Sequence, residues 1–227
     1  MNILKPSYEI LTPISEDGIN ELKHIERIGR VCYKSEGNIT TDGESAKKFV
    51  KMLIDKGHEA MIEHSTLSVK FIIDRGVSHE LVRHRIASFA QESTRYVNYS
   101  LNKFGNEINV IDIAGGIKLD NKMKNMDANT ITAIINEWYQ AIEDSERHYM
   151  KMIELGATPQ IARSVLTNST KTEITITANY REWRNFFKLR TPLAAHPQMR
   201  EVTIPLLIDL QGKLPIIFDD IEVNIDE

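Results

Sequence analysis

Fourteen consecutive residues, Arg83-His84-Arg85-Ile86-Ala87-Ser88-Phe89-Ala90-Gln91-Glu92-Ser93-Thr94-Arg95-Tyr96, gather three guanidiniums, an imidazole, two serine hydroxyls, a carboxamide, a carboxylate and a phenol. A guanidinium is a rigid planar fork that meets phosphate or carboxylate oxygens two at a time. In a chain of formal net charge -4, such a cluster reads as a focused anion site and not as part of a generally basic surface. Placed on a helix, Arg83 and Arg85 stand about 200° apart and serve different partners or faces. In an extended loop Ser93 and Arg95 point the same way, which suits a hydroxyl and a guanidinium sharing one phosphate. Gln91 adds a same-side donor and acceptor. The plain alternative is a solvated basic turn.

A second constellation is Asn179-Tyr180-Arg181 with Asn185 and Arg190. Arg181 and Asn185 are four apart and share a helix face. Carboxamides read nucleobase-like or flavin-like edges because each carries donor and acceptor together. The competing reading is a polar outer face, and for Arg190 a cation favoured at a helix C-terminus. His58-Glu59-Ala60-Met61-Ile62-Glu63-His64 invites a zinc reading but fails on spacing. The metalloprotease pattern sets two histidines four apart on one helical face, and these are six apart. No metal is expected; His58 touching a ligand, with His64 capping or packing, is the better reading. Neither glycine-rich phosphate loop is present, so any nucleotide cofactor is held by arginines and helix ends. The single cysteine, Cys32, follows an apolar helical face and is expected to be packed. Ser93 has no sequence-evident base beside it, which favours binding over covalent catalysis.

The elements that must position these groups follow from hydrophobic period and punctuation. Residues 8–14 read as a short strand and 19–33 as a helix with Leu22, Ile25, Ile28 and Val31 inward. Asp42 caps a second helix, which Gly57 follows. Leu67, Val69, Phe71 and Ile73 mark a half-buried strand. Gly76 then turns the chain into a helix running to about Arg85. A strand lies near 108–113. The longest helix spans about 127–155 with an apolar stripe from Ile131 to Ile153 and ends at Gly156. Thr158-Pro159 opens a helix that carries Arg163. Residues 171–178 alternate as a strand, 180–189 form a helix that leads to Arg190, and 201–210 close the core. The mixture has no regular βαβ rhythm, so the expected class is α+β, as one domain over 1–227.

Composition agrees with a packed soluble chain: 41% of residues are hydrophobic and 26% charged. No stretch approaches the roughly 20 apolar residues of a membrane helix. Residues 1–18 lack the pattern of a secretory signal. A cytoplasmic protein is expected, with no membrane partner. Mild acidity argues against general nucleic-acid binding.

Arg83-His84-Arg85, seven residues, then Ser93 is similar to the signature of the flavin-dependent thymidylate synthases. The resemblance covers most of the chain. Gly57-His58-Glu59 with Glu63-His64 resembles the family's upstream motif. Arg163 after Thr158-Pro159, Asn179 and Arg181 with Asn185, and Arg190 resemble its downstream pattern. The resemblance implies an α+β fold of mixed helices on a small, mainly antiparallel sheet, and a homotetramer with active sites where subunits meet. It implies conversion of dUMP to dTMP with 5,10-methylenetetrahydrofolate as carbon donor and FAD reduced by NADPH. Carried over residue by residue, FAD would be held by His58, Arg83, His84, Arg85, Gln91, Asn179, Tyr180, Arg181 and Asn185. The dUMP would be held by Glu80, Leu81, Val82, Arg83, Gln91, Glu92, Ser93, Thr94, Arg95, Arg163 and Arg190. Arg190 would meet the uracil edge, favour ionisation at N3 and act as the catalytic group. That route suits a chain whose lone cysteine lies outside every motif, because a guanidinium can stabilise charge developing on the pyrimidine without attack by sulfur. Four positions depart from the family pattern: Gln91 stands where a Glu can occur, Ala60 where a Ser or Thr is frequent, Ala90 where some members are polar, and Glu80 where a Gln can occur. The rival readings are an inactive dUMP-binding homologue and a single-stranded nucleic-acid binder that stacks bases on Tyr96 and Tyr99.

Overall fold

The computed structural model describes residues 1–101 and 105–223. Its centre is a four-stranded antiparallel sheet in the order β2-β3-β6-β4, made of β2 (Ser7–Ile10), β3 (Thr66–Asp74), β6 (Lys171–Asn179) and β4 (Ala87–Gln91). Strict alternation sets the faces of the two long central strands. Leu67, Val69, Phe71 and Ile73 of β3 and Thr172, Ile174, Ile176 and Ala178 of β6 are buried on one side. Against that side pack α2 (Glu44–Asp55), α7 (Tyr180–Arg190) and α8 (Pro197–Lys213), with Phe49, Leu53, Trp183, Phe187, Leu206 and Leu210 in one core. Full burial of such side chains contributes about 1.5–3 kcal/mol each.

α1 (Ile19–Tyr33) has the expected bounds and buries Leu22 and Ile25, but Val31 is exposed. A smaller cluster joins Tyr99, Ile108 and Val110 to Ile142 and Tyr149 of the long α5 (Ala128–Glu154). Asp127 caps α5 by accepting from the backbone N–H groups of Asn129 and Thr130. Gly156, at φ +93°, closes the end of the helix. Two short elements complete this part: β1 (Asn2–Leu4) pairs in parallel with β5 (Asn109–Ile111), and α4 (Ala114–Leu119) packs on α8.

Several expectations are corrected. The helix after β3, α3 (Arg75–Leu81), stops well short of Arg85. Asp74, not Gly76, starts it, through a 2.7 Å bond from the Val77 N–H. A turn follows, then β4, whose Ala87, Phe89 and Gln91 face the core side because Phe89 pairs with Ile176. The helical estimate of 200° between Arg83 and Arg85 therefore does not apply. Gly43, at φ +87°, is the N-cap of α2, and Asp42 accepts from Glu44 N–H beside it. The Thr158-Pro159 helix, α6 (Pro159–Ala162), is one turn, followed by a 3-10 turn over Arg163–Val165. Cys32 is exposed, not packed.

Candidate active site

β6 delivers the chain into α7, and Asn179 makes the join. Its side-chain oxygen accepts from the Glu182 N–H at 2.8 Å, an N-cap bond. Trp183, Phe186 and Phe187 turn inward, which leaves Arg181, Asn185 and Lys188 outward. These outward residues line a 540 Å³ cleft together with Glu59, Glu63, Ile86, Asn179 and Glu182. Glu59 and Glu63 come from a 3-10 segment, Glu59–His64. Arg181 reaches Glu63 at 2.5 Å and Glu59 at 3.8 Å. Glu59 also receives the Arg184 Nε–H at 3.0 Å. Arg184 is buried, clamps Asp220 with both terminal nitrogens and donates to the Ile217 carbonyl. The floor of the cleft is thus tied to the C-terminal segment.

At the other end of α7, Arg190 joins a chain of five polar groups. Its Nε donates to His84 Nε2 at 3.1 Å, one terminal nitrogen donates to the Glu80 carboxylate at 2.9 Å, and the other to the Glu80 carbonyl at 3.2 Å. His84 Nδ1 lies 3.0 Å from Glu182 Oε1, and Asn185 donates to the same carboxylate at 3.3 and 3.4 Å. His84 is buried, with its ring edge-on to Phe186. Burial lowers the imidazole pKa below its ordinary value, and the Arg190 charge lowers it further against the pull of Glu182. The ring is therefore neutral at pH 7, and its contact with Glu182 is a hydrogen bond and not an ion pair. Arg190 opens onto a second 540 Å³ cleft, lined also by Glu80, Lys188 and His196.

A third group lies beyond the far end of β4. Arg163 donates to Thr94 Oγ1 at 3.2 Å. Gln91 donates to Ser78 and Thr172 at 3.0 and 3.2 Å. Glu92 accepts from Lys171 at 3.1 Å and from Glu173 N–H at 3.3 Å. A 670 Å³ cavity opens beside Gln91 and Glu92, walled by Lys70, Tyr99, Lys171 and Glu173. Arg83, Arg85, Arg95 and Arg163 are exposed, and none has a carboxylate partner among the described residues.

Residues 17–216 match the family "Thymidylate synthase complementing protein". The chain belongs to the flavin-dependent thymidylate synthase family. It is 30% identical over 205 residues to the flavin-dependent thymidylate synthase of Corynebacterium aurimucosum, a match that covers 88% of this chain and 80% of that one. It is 30% identical over 216 residues to the enzyme of that name from Mycobacterium avium, covering 93% and 84%. Among solved structures, the fold is shared with a UMP/dUMP methylase, PolB from Streptomyces cacaoi, bound with 5-Br dUMP. The TM-score is 0.78 at 19% identity, with 96% of each chain covered. The family is one of methyltransferase-type enzymes, and the mixed α+β fold with its antiparallel sheet is the expected one.

Within this flavin-dependent thymidylate synthase family member, the expected site residues fall into two groups at the two ends of β4, a strand of about 13 Å. Glu80, His84, Asn179, Arg181, Asn185 and Arg190 stand at one end, and Gln91, Glu92, Thr94 and Arg163 at the other. Ser93 and Arg95 do not lie in an extended loop. Tyr96 and Val97 N–H both bond the Ser93 carbonyl in a tight turn, so the same-side argument for the pair fails. Leu81 and Tyr180 have core side chains, Tyr180 packed on Phe218, so only their backbones are left to meet a ligand. Val82 is exposed. His58 shares a 3.3 Å bond with the Tyr33 hydroxyl, while His64 is exposed and caps no helix among the described residues. Sequence reasoning missed Glu182 and Arg184, and it placed Glu59 in a motif without giving it a role. For Glu182 a signal existed: Asn179 followed three residues later by Glu is a helix-start pattern.

Proposed function

We propose that this chain turns over as a thymidylate synthase. It converts dUMP to dTMP, takes the carbon from 5,10-methylenetetrahydrofolate and uses FAD reduced by NADPH. One observation carries the reading: Arg190 is locked between His84 and Glu80 beside an open cleft, while Arg83 and Arg85 are exposed and meet no carboxylate among the described residues. A locked guanidinium suits a site where negative charge develops on a pyrimidine. Free guanidiniums suit phosphates. The dUMP analogue bound by PolB, which shares the fold, agrees with a pyrimidine nucleotide as substrate.

The donor set also fits FAD. The carboxamides of Asn179 and Asn185 can meet an imide edge. Arg83, Arg85, Arg181 and Lys188 can meet a pyrophosphate, which for Arg181 competes with Glu63. When bound, reduced FAD supplies the hydride that completes the methyl group. Arg190 would hold the pyrimidine and its developing charge; Ser93, Thr94, Arg95 and Arg163 would hold the nucleotide phosphate. Cys32 lines none of the three clefts. Each end of β4 offers only part of a site, which supports a homotetramer that completes sites between subunits. Among the described residues no helix is long and apolar enough to cross a membrane. A single-domain, cytoplasmic enzyme without nucleic-acid partners is the simplest form of this reading.

The deciding experiment is NADPH oxidation with and without dUMP, on protein of measured flavin content, with dTMP quantified when 5,10-methylenetetrahydrofolate is added. Flavin-dependent dTMP formation is the expected result. Binding of dUMP without flavin or dTMP would identify an inactive homologue, and tight, steeply salt-dependent oligonucleotide binding would point to nucleic acid. Arg95→Ala should raise the dUMP concentration needed for half-maximal rate tenfold or more and leave flavin content unchanged. An equal loss of both would remove Arg95 from the nucleotide site.

A further inference from the structure

We propose that Glu182 is the positioning residue for Arg190: it holds the His84 proton on Nδ1, so that Nε2 is left to accept from the guanidinium. Any consequence for turnover rests on the thymidylate synthase reading above; the placement of the proton does not.

Donors and acceptors place the proton. Arg190 Nε–H points at His84 Nε2 across 3.1 Å. Arginine has no acceptor, so Nε2 must carry a lone pair. An imidazolium, or the tautomer with its proton on Nε2, would set two N–H groups against each other. Only the tautomer protonated at Nδ1 remains, and that N–H has the Glu182 carboxylate 3.0 Å away. The groups around the ring agree: Glu80 from α3, Arg190, Asn185 and Phe186 from α7, and Glu182 itself.

The behaviour of Glu182 within its helix is a second observation. Asn179 is the N-cap of α7 and Glu182 is three residues on. In the usual capping box, a glutamate there folds back on the cap's own backbone N–H. Here the cap accepts from Glu182 N–H, but the Glu182 carboxylate turns away to His84 and Asn185. It is only 10% exposed. A carboxylate so placed needs donors, and the Nδ1–H is the nearest.

The consequence falls on Arg190. Three of its five N–H donors are committed, one to His84 and two to Glu80. Bonds at both ends of the planar group fix its plane, and the two remaining donors are free for a ligand. Without the His84 acceptor, the Nε end is released and the plane can swing about the Glu80 contacts.

The test uses the flavin-loaded enzyme labelled with 15N-histidine, at about pH 7.5, with the His84 signals assigned by their loss in His84→Asn. The expected wild-type spectrum is a neutral ring protonated at Nδ1. In Glu182→Gln the amide can donate as well as accept, and a mixture of tautomers is expected. In that variant kcat for dTMP formation should fall tenfold or more, with flavin content and the KM for NADPH unchanged, and Glu182→Asp should recover part of the rate. A wild-type ring protonated at Nε2, or doubly protonated, overturns the proposal. So does a tautomer shift without loss of kcat, or a loss of kcat with the tautomer unchanged. If wild type forms no dTMP, the enzyme reading fails while the wild-type spectrum still decides the proton; the same spectrum decides if Glu182→Gln does not fold.

Discussion

Arg190→Ala separates catalysis from stability, because the structure gives different magnitudes for the two. The Arg190 side chain is 18% exposed and its guanidinium makes three hydrogen bonds. After truncation Glu80, at 28% exposure, can take up water. His84 Nε2, buried behind the guanidinium in the native protein, loses its donor, and an orphaned buried acceptor costs up to about 1–3 kcal/mol. For a chain of this length that is a fall in Tm of roughly 2–12 °C, so the protein should remain folded at 25 °C. Removing one preorganised group that meets developing charge costs about 10²–10³ in kcat. The expected variant is thus folded and flavin-loaded but slower in forming dTMP by at least a hundredfold. Arg190→Lys, which keeps the charge and loses the fork, should fall between the two. Rates are read as dTMP formed in a single turnover on pre-reduced enzyme, with flavin absorbance and a melting curve on the same sample. Turnover within about tenfold of wild type would refute the catalytic role, and loss of flavin in step with activity would make Arg190 structural.

Three further outcomes test other parts of the reasoning. Glu201 lies against α4, where a Cβ at Gly115 would meet its carboxylate, and one of its oxygens is buried without a partner among the described residues. Burial, then Asp112 and Asp74, pushes its pKa up to about 7 from 4.5. The folded state therefore binds this proton more tightly than the unfolded chain, and the associated stability is full below about 4.5 and lost as pH rises through about 7. Glu201→Gln should gain up to roughly 3 kcal/mol in urea unfolding at about pH 8 and little at about pH 4.5; an equal change at both would contradict the account. Arg184→Met removes a buried guanidinium that is 2% exposed. Breaking a buried pair costs about 3–5 kcal/mol, and because Asp220 can rehydrate at 47% exposure the low end applies, a Tm drop of roughly 6–12 °C; a drop under about 2 °C would show the clamp to be idle. Cys32→Ala should keep kcat within about twofold, since the thiol is exposed on α1, and an inactive but folded variant would end the sulfur-free mechanism.

The long regular elements were legible for a simple reason. β3 and β6 alternate over nine residues each, so one register alone puts Val69, Phe71, Ile174 and Ile176 on the same side. α1 and α5 show helical spacing, and Asp127 marks a start that local chemistry enforces. β4 was not legible because little in Ala87-Ser88-Phe89-Ala90-Gln91 favours a strand locally. It exists through its pairing with β6, a contact between segments remote in sequence. The same holds for β1, whose three residues find β5 more than a hundred positions away. α4 has two glycines in six residues and is held by packing on α8 rather than by propensity.

The candidate site was legible in its residue types and not in their partners. The arginines of the opening motif and of α7 announce anion chemistry, yet composition cannot say which of them a carboxylate already holds. Arg190 meets Glu80 across 110 positions and His84 meets Glu182 across 98; only the fold makes these pairs. The pairs divide the arginines by task. A guanidinium with a carboxylate neighbour has less net field but a fixed direction. One without has the full field and freedom to move. A phosphate carries its charge throughout binding and reaction, so under the proposed function Arg83, Arg85, Arg95 and Arg163, which meet no carboxylate among the described residues, suit it, and their loss should show first in binding. Charge on a pyrimidine ring rises only as the reaction proceeds. A donor already fixed in place needs no reorganisation at that moment. Under the proposed function, Arg190, the arginine held by both His84 and Glu80, takes the second task, and its contribution should be sought in kcat.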